Sequence, residues 1–476
     1  MVRIILSAFV LLTATAYAQL TSSGSTAGTT PDVSVSTGTP EAPAPQANSP
    51  TPPSTVPPAA PGSSSAQTPQ PATPASSQPA PTLITLDEAV TLALANSPTL
   101  AAVRTTVPQS QAQEITAGLR PNPVLSWDAL FIPIFSPGNF SENFVNNVQQ
   151  FDIGVGYLIE RGRKRQARLQ AARDATAVTK SQLYDFERTL TFNVAQQFVN
   201  ALLAKSNFEF AQQDLASFQE TVNISEERYK AGDISEGDLL KIKIQLLQFQ
   251  TDLASARIAR AQALGTLRQL IGFQAVPANY DVAGELLFQP LKAGREDLQA
   301  KALTQRPDLK AAQQGVTAAG SQVALAKANG KQDLDTAFTF SHVSGASSGS
   351  VSFSIPLAIF NKNQGEIART RFALTQAQLD ERAAEETVVT DVSNAYDATK
   401  TNQQIVELYQ SGYLNQAQQS RDISDYAYRR GAATLLDLLD AERSYRSTQL
   451  AYRQSLATYM LSLEQLREAV GSRTLP

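Results

Sequence analysis

One long segment occurs twice in this chain, and the duplication constrains the fold more than any other feature. Residues 229–272 align without gaps on residues 428–471, with ten identical positions at one constant offset. Upstream, the pattern Ala-Leu-x-x-x-Pro-x-Leu begins at Ala93 and again at Ala302. Each copy spans roughly 190 residues, far above the repeat periods of solenoid proteins, about 20 to 50 residues. The sequence therefore predicts two copies of one large module.

Composition excludes several functions before any motif is considered. The 476 residues contain no cysteine and one histidine, His342, so disulfide scaffolds and zinc-thiolate sites are excluded and a His-based triad would depend on one imidazole. The 39 Lys and Arg residues against 43 Asp and Glu residues give a net charge of −4, too balanced to indicate a nucleic-acid partner. We therefore predict no enzyme activity, cofactor or metal site, and we expect His342 to lie in an exposed loop.

The N-terminal region indicates export. Arg3 precedes the apolar stretch 4–14, and Ala16-Tyr17-Ala18 has the small-x-small pattern of a signal-peptidase site. The segment 21–81 holds 15 of the 26 prolines, mixed with Ser, Thr, Ala and Gly, a composition that cannot bury enough apolar surface to fold. The predicted organisation is a signal peptide at 1–18, a disordered tether at 19–82 and repeats at 83–273 and 294–472.

Helical and strand periodicities alternate within each repeat. In the first, Thr85-x-x-Glu88 predicts a capping box, and Pro98 fits the first position of a second short helix. Residues 165–230 contain neither Pro nor Gly and keep 3-4 heptad spacing, which predicts a helix of roughly 100 Å at ~1.5 Å per residue. A reversal at Gly232 leads to a second long helix, and the other repeat has a matching turn at Gly431.

Alternating segments interrupt the helices at matching points. Apolar and polar residues alternate from Phe151 to Ile159 and from Val351 to Ile359, and a less regular apolar run spans 124–135. Such strands suit a transmembrane barrel, although a soluble hairpin packed on a core has the same pattern. Apart from the signal, no apolar run approaches the roughly 20 residues of a membrane helix. Four candidate strands cannot close a transmembrane barrel, so spanning the membrane would require strands pooled among protomers.

These features resemble the TolC-like outer-membrane efflux family over nearly all of 85–472. The resemblance rests first on the opening of the repeat, at Leu86, Ala89 and Ser97-Pro98. It rests also on the turns Tyr229-Lys230-Ala231-Gly232 and Tyr428-Arg429-Arg430-Gly431, and on the acidic motif 435–443. The linkers 160–165 and 356–367 look like those of the CzcC-like cation-efflux branch.

The resemblance implies a mainly α fold with a small transmembrane β part, built from duplicated units of two strands and a long helical hairpin. A homotrimer would form a 12-stranded β-barrel in the outer membrane, continued by an α-helical barrel in the periplasm. The chain would then be the passive exit duct of a tripartite efflux system, working with a periplasmic adaptor and an inner-membrane pump of the resistance-nodulation-division type. The cargo could be heavy-metal cations or drugs. Alternatives are the outer-membrane component of a type I secretion system and a non-transporting coiled-coil scaffold of the envelope.

The resemblance also suggests functional residues at the turns. Asp437 and Asp440 lie where the family has its acidic periplasmic constriction, and six carboxylates in a trimer would attract cations. Thr434-x-x-Asp437 and Ser235-x-x-Asp238 equally predict helix N-caps, whereas Asp440 corresponds to Lys241 in the other repeat. The expected adaptor contacts are the turn residues Gly232, Asp233, Ile234, Gly431, Ala432 and Ala433.

One dense basic cluster begins the first long helix. Positive charge there opposes the helix dipole, which indicates another partner. We expect phosphates of the inner leaflet of the outer membrane, with a plain solvated face as the alternative. The cluster comprises Arg161, Arg163, Lys164, Arg165 and Arg168.

Overall fold

A computed structural model describes residues 82–475. The predicted signal peptide and all of the predicted tether except Thr82 lie outside these residues, as does Pro476. In the described part, no helix combines the length and apolar character needed to cross a membrane.

The first repeat contains four short helices, three strands and two long helices. In chain order they are β1 (Leu83–Ile84), α1 (Leu86–Asn96), α2 (Pro98–Arg104), α3 (Thr106–Gly118), β2 (Val124–Leu130), a 3₁₀ turn (Pro137–Asn139), α4 (Glu142–Asn147), β3 (Gln150–Ile159), α5 (Lys164–Ala231) and α6 (Glu236–Ile271).

The second repeat follows the same plan. The linker between the repeats contains β4 (Asp281–Val282), and the elements of the second repeat are α7 (Arg295–Gln305), α8 (Pro307–Asn329), β5 (Leu334–Val343), β6 (Ala346–Ser354), α9 (Gln364–Leu408), a π-helical turn (Tyr409–Tyr413), α10 (Leu414–Arg429) and α11 (Leu435–Val470).

Local sequence signals place the helix boundaries where they were predicted. Thr85 and Glu88 form a capping box in which each side chain accepts a hydrogen bond from the other's backbone N–H, and Pro98 opens α2. Helix α5 runs for 68 residues and ends at Gly232, which takes the left-handed conformation at φ 82°. The periodicity did not predict the π-helical turn between α9 and α10, where Gly412 has φ 139°.

The four long strands form one antiparallel sheet in the order β2-β3-β5-β6. The expectation of a strand from Val351 to Ile359 is only half right, because β6 ends at Ser354. Pro356 lacks a backbone N–H and cannot continue the ladder. The loop expected for His342 is wrong, since this residue lies in β5 opposite Phe151 and Ser347.

The register separates the two faces of the sheet by polarity. Cross-strand rows on one face are apolar, namely Trp127, Ile153 and Phe340 in one and Leu125, Val155, Phe338 and Val351 in the next. The opposite face carries rows such as Ser126, Gly154, Thr339 and Ser350. The apolar face is uncovered in the described chain, with Trp127 66% and Val351 63% exposed.

The cores lie among the helices. Helix α5 packs against α6, α3, α8 and α11, while α9 packs against α8 and α11. A short parallel pairing of β1 with β4 ties the start of the first repeat to the linker between the repeats. Arg260 interrupts the predicted seam of α6, and its guanidinium is 2.6 Å from the carboxylate of Asp281 on β4. The interruption in the apolar pattern therefore marks where β4 joins the helices.

Candidate functional site

Both helical hairpins turn through the same backbone motif. At the first turn, Gly232 N–H donates to Tyr229 C=O and Asp233 N–H donates to Arg228 C=O. At the second, Gly431 N–H donates to Tyr428 C=O and Ala432 N–H donates to Ala427 C=O. This Schellman pattern requires a left-handed residue, and the two glycines have φ 82° and 74°. The motif accounts for the repeated glycine independently of any contact with a partner.

The two turns lie side by side and are joined by one aromatic side chain. Tyr428 is 2% exposed, and its hydroxyl is 3.2 Å from the hydroxyl of Ser225 on α5. Arg228 donates to the backbone oxygen of Tyr428 at 2.6 Å, and its guanidinium lies over the Tyr428 ring. A groove of about 590 Å³ between the turns includes Asp233 and Ile234 from one side and Ala433 from the other.

Asp238 and Asp437 both take part in helix N-caps, and only Asp437 completes a capping box. Asp238 accepts from Ser235 Oγ at 2.8 Å, while its own backbone N–H donates to that oxygen. Asp437 accepts from the backbone N–H and hydroxyl of Thr434 at 3.0 and 2.6 Å, completing a capping box on α11. Hydrogen bonds from the Ser235 and Thr434 side chains lower the pKa of Asp238 and Asp437 respectively. Asp437 is exposed, so capping and cation attraction are compatible at this residue.

Asp440 lies one turn farther along α11, in a different environment. It lines a groove of about 490 Å³ with Asp252 and Arg446, among other residues of α6 and α11. Its counterpart in the first repeat, Lys241, contacts Asp238 at 3.3 Å. The two predicted gate residues thus share the first turns of one helix, but only Asp437 is part of the cap.

The sequence patterns did not predict a buried charge network on the helices that lead to the turns. Arg446 on α11 reaches Asp214 on α5 at 2.6 Å and Asp252 on α6 at 2.5 Å. Arg421 on α10 is 3.3 Å from Glu442 on α11. Asp214 and Glu442 are 6% and 9% exposed. The network therefore joins the two hairpins of the chain through opposite charges.

Glu442 is the member of this network that titrates near neutrality. Burial raises its pKa to about 7, with nearby Asp214 and Asp425 adding to the effect and Arg421 and Arg446 opposing it. Among the described residues, one carboxylate oxygen of Glu442 has no hydrogen-bond partner. A sequence signal existed, since Glu442 follows Leu435 and Leu438 at 3-4 spacing and is thus a charged residue on an apolar seam.

The predicted basic cluster lies where the sheet meets α5. Lys164 is 2.6 Å from Asp333, and Arg168 forms an ion pair with Glu160. Arg161 and Arg163 are exposed, and Arg165 is half-buried. The structure therefore divides the cluster into two cations with internal partners and three whose side chains form no ion pair within residues 82–475.

No group of three or more His, Asp and Glu residues in the described part of the chain is arranged to hold a metal ion. The features that remain as candidates for function are the paired turns, the grooves beside them, the junction cluster and the uncovered apolar face of the sheet.

The sequence is similar to those of known export and metal-resistance proteins. The pyoverdine export outer membrane protein OpmQ of Pseudomonas aeruginosa is 26% identical over 407 residues, 81% of this chain and 83% of that protein. The cobalt-zinc-cadmium resistance protein CzcC of Cupriavidus metallidurans is 22% identical over 371 residues, 78% of this chain and 85% of that protein.

A solved structure of CusC, a protein in which conformational changes accompany folding and transmembrane channel formation, has a TM-score of 0.67 at 19% identity. The match covers 84% of this chain and 96% of that chain and confirms the predicted mainly α fold with a small β part. A family model described as "Outer membrane efflux protein" matches residues 89–273 and 298–472. Because these matches span most of both repeats, the chain belongs to the outer membrane efflux protein family.

Proposed function

We propose that this protein is the outer-membrane exit duct of a tripartite efflux system, a passive channel with a long periplasmic extension. The observation that carries the proposal is the sheet with one apolar and one polar face, attached to two long helical hairpins. Lipid favours the apolar face of such a sheet, while the serine and threonine rows of the other face suit a water-filled lumen. The alternative of a coiled-coil scaffold of the envelope does not account for this sheet.

The sheet also supports a shared barrel. Strands β2 and β6 are its edges, and unpaired edge groups in lipid cost several kcal/mol each. Pairing β2 of one protomer with β6 of the next removes both edges, and three protomers give the 12-stranded barrel of a homotrimer. Fractionation of cells should place the protein in the outer membrane, and the purified trimer should conduct ions in planar bilayers. A soluble dimer without conductance would contradict the proposal and favour the scaffold.

Asp437 and Asp440 form the periplasmic gate in this proposal, where three copies place six carboxylates at the narrow end. We expect the double variant Asp437→Asn with Asp440→Asn to reduce cation preference in planar bilayers. The matched control is Asp233→Asn with Asp238→Asn, which removes equal charge from the turn of the other repeat. Equal cation preference in the wild type and the gate variant would rule out this role.

The paired turns are the adaptor-binding tips in this proposal. A cysteine at Ala432 should cross-link to a co-expressed periplasmic adaptor, because Ala432 is exposed at the second turn. A cysteine at Ala254, exposed in the middle of α6, serves as the control because the chain has no native thiol. Absence of an adduct at Ala432 in cells with an active pump would count against the contact. The pump is proposed to be of the resistance-nodulation-division type.

The proposed cargo is heavy-metal cations or drugs. The chain can offer a metal ion carboxylates and water, but no thiolate, since it contains no cysteine. Deleting the gene should increase the sensitivity of cells to divalent metals or to drugs. The sensitivity that increases identifies the cargo. Loss of export of a polypeptide with neither sensitivity changed would instead indicate type I secretion.

A further inference from the structure

Positive charge is distributed unevenly around the sheet. Residues 121–160 and 332–361, which contain all four strands and their far connections, include no Lys or Arg. Cations stand immediately outside these segments, at Arg120, Arg161 and Lys362. The helical end of the sheet is therefore bordered by cations, and its opposite end has none.

A groove at this border combines cationic and apolar walls. It has a volume of about 380 Å³ and lies between the end of α3, the last residues of β3 and the first turn of α5. Arg120, Lys164 and Arg165 line one part of it, together with Glu160, and Tyr157, Leu158 and Ile159 line another. Tyr157 belongs to the row that continues through Thr336 to Phe353, on the apolar face of the sheet. The groove thus opens next to the surface proposed to face lipid.

The cations in and around the groove differ in their partners. Lys164 and Arg168 are neutralised by Asp333 and Glu160. Arg120 and Arg165, like the exposed Arg161 and Arg163, make no side-chain ion pair with any residue in 82–475. They also lie near the positive end of the α5 dipole, which disfavours cations without an external anion.

Arg163 has a backbone conformation that residues other than glycine seldom adopt. Arg163 precedes α5 in the left-handed conformation at φ 58°, and Asn363 precedes α9 in the same conformation at φ 64°. Asparagine tolerates this conformation better than arginine. Counting from the first residue of each helix, the second repeat has no cation at the five positions where the first repeat has one. Asn361, Asn363, Gln364, Gly365 and Ala368 stand in place of Arg161, Arg163, Lys164, Arg165 and Arg168.

We propose that this groove, with Arg120 and Arg165 as its principal cations and Arg163 beside them, binds the phosphate of an anionic phospholipid in the inner leaflet of the outer membrane. The acyl chains would lie along Tyr157 and Ile159 on the apolar face. The inference rests on the proposed outer-membrane location. It gives the basic cluster a ligand class, a glycerophospholipid, rather than a general affinity for membranes.

The test is a titration of the detergent-purified mature protein with lipid, followed by native mass spectrometry. Phosphatidylglycerol should bind roughly tenfold or more tightly than phosphatidylcholine with the same acyl chains, since each Lys or Arg adds to anionic-lipid affinity. Arg120→Gln with Arg165→Gln should abolish this preference. The control Arg257→Gln with Arg382→Gln removes the same charge from exposed helix positions and should keep it.

Arg163→Asn separates a binding role from a structural one. It installs the residue of the second repeat at the same left-handed position, so the thermal unfolding midpoint should stay equal or rise while phosphatidylglycerol affinity falls. Unchanged affinity in Arg163→Asn would remove Arg163 from the site, and unchanged affinity in the double groove variant would overturn the proposal.

Two further measurements identify the ligand and separate a failure of lipid binding from a failure of the proposed function. If sn-glycerol 3-phosphate competes as well as the lipid at equal concentration, the groove binds a free phosphate and the lipid assignment is wrong. A conducting outer-membrane protein without phosphatidylglycerol preference overturns only this inference. A protein absent from the outer membrane overturns the proposed function itself.

Discussion

The two repeats share one backbone plan but carry different chemistry at the same points. The hairpin of the first repeat begins with one unbroken helix, α5, whereas the corresponding helix of the second is divided by a π-helical turn at Tyr409–Tyr413. Such turns are rare and occur often at functional sites. At the junction with the sheet, Arg161 and Arg163 of the first repeat correspond to Asn361 and Asn363 of the second. At the turn, Lys241 corresponds to Asp440. Duplication therefore preserved the frame while the side chains diverged.

The charge network relates these two halves. Arg446 of the second hairpin pairs with Asp214 and Asp252 of the first, while Arg421 pairs with Glu442 inside the second hairpin. Apolar contacts also join the hairpins, since Phe218 and Phe249 of the first pack in one cluster with Leu438 of the second. The network additionally lets one repeat compensate the buried charge of the other. The difference between the repeats is thus part of how they hold together.

The largest expected effect comes from removing the shared cation. Arg446→Ala leaves Asp214 buried without its partner, which should destabilise the protein by about 3–5 kcal/mol. Denaturant unfolding of the purified protein measures this difference. Arg443→Ala, at an exposed position on the same helix, is the control and should change stability by less than about 0.5 kcal/mol. Equal effects of the two variants would mean that the network does not couple the hairpins.

A pH-dependent effect should follow at Glu442. Because its pKa is raised from 4.5 to about 7 in the folded state, the folded protein holds a proton that the unfolded chain releases, and stability falls as pH rises across this range. Glu442→Gln removes the buried charge. It should stabilise the protein at pH 8 by up to about 3 kcal/mol and by little near pH 4.5. Unfolding midpoints at both pH values provide the measurement, and a pH-independent difference would contradict it.

The matching turns should respond alike to loss of glycine. Gly232→Ala and Gly431→Ala each force a Cβ into the left-handed conformation, at an expected cost of about 1–2 kcal/mol. Gly237→Ala lies inside α6 with φ outside the left-handed range and should instead stabilise by about 0.5–1 kcal/mol. A marked inequality between the two turn variants would show that the repeats differ in how their turns are supported.

The smallest expected effect is at the caps. Ser235→Ala and Thr434→Ala each remove the hydroxyl that accepts from the backbone N–H three residues later, at about 1 kcal/mol. Thermal unfolding of both variants compares the repeats directly. If Thr434→Ala alone also alters cation conductance, Asp437 depends on its cap for its place at the gate.

Much of the fold could be predicted because local rules set it. The boundaries of α5, the cap at Thr85 and the turns at Gly232 and Gly431 all follow from neighbours within a few residues. The end of β6 could not be read from alternation, which continues past Ser354 while the hydrogen-bond ladder does not. Arg260 illustrates the same limit. Its partner Asp281 is 21 residues away, so the sequence shows only that an arginine interrupts the apolar seam of α6 and does not identify the partner.

The candidate site was predicted less completely than the fold. Its tip residues and the capping alternative for Asp437 came from motif and resemblance. The charge network around Arg446 was not predicted, because Asp214 and Arg446 are far apart in sequence and each alone resembles an ordinary helical surface charge.

By itself, the sequence determined the duplication, the long helices, the alternating strands and the family, since periodicity and local chemistry encode them. Only the tertiary structure decided which cations have partners, which acid is buried enough to titrate near neutrality and which face of the sheet is uncovered. The physical reason is that burial and ion pairing depend on distances between segments remote in the chain. No periodicity within a segment carries that information.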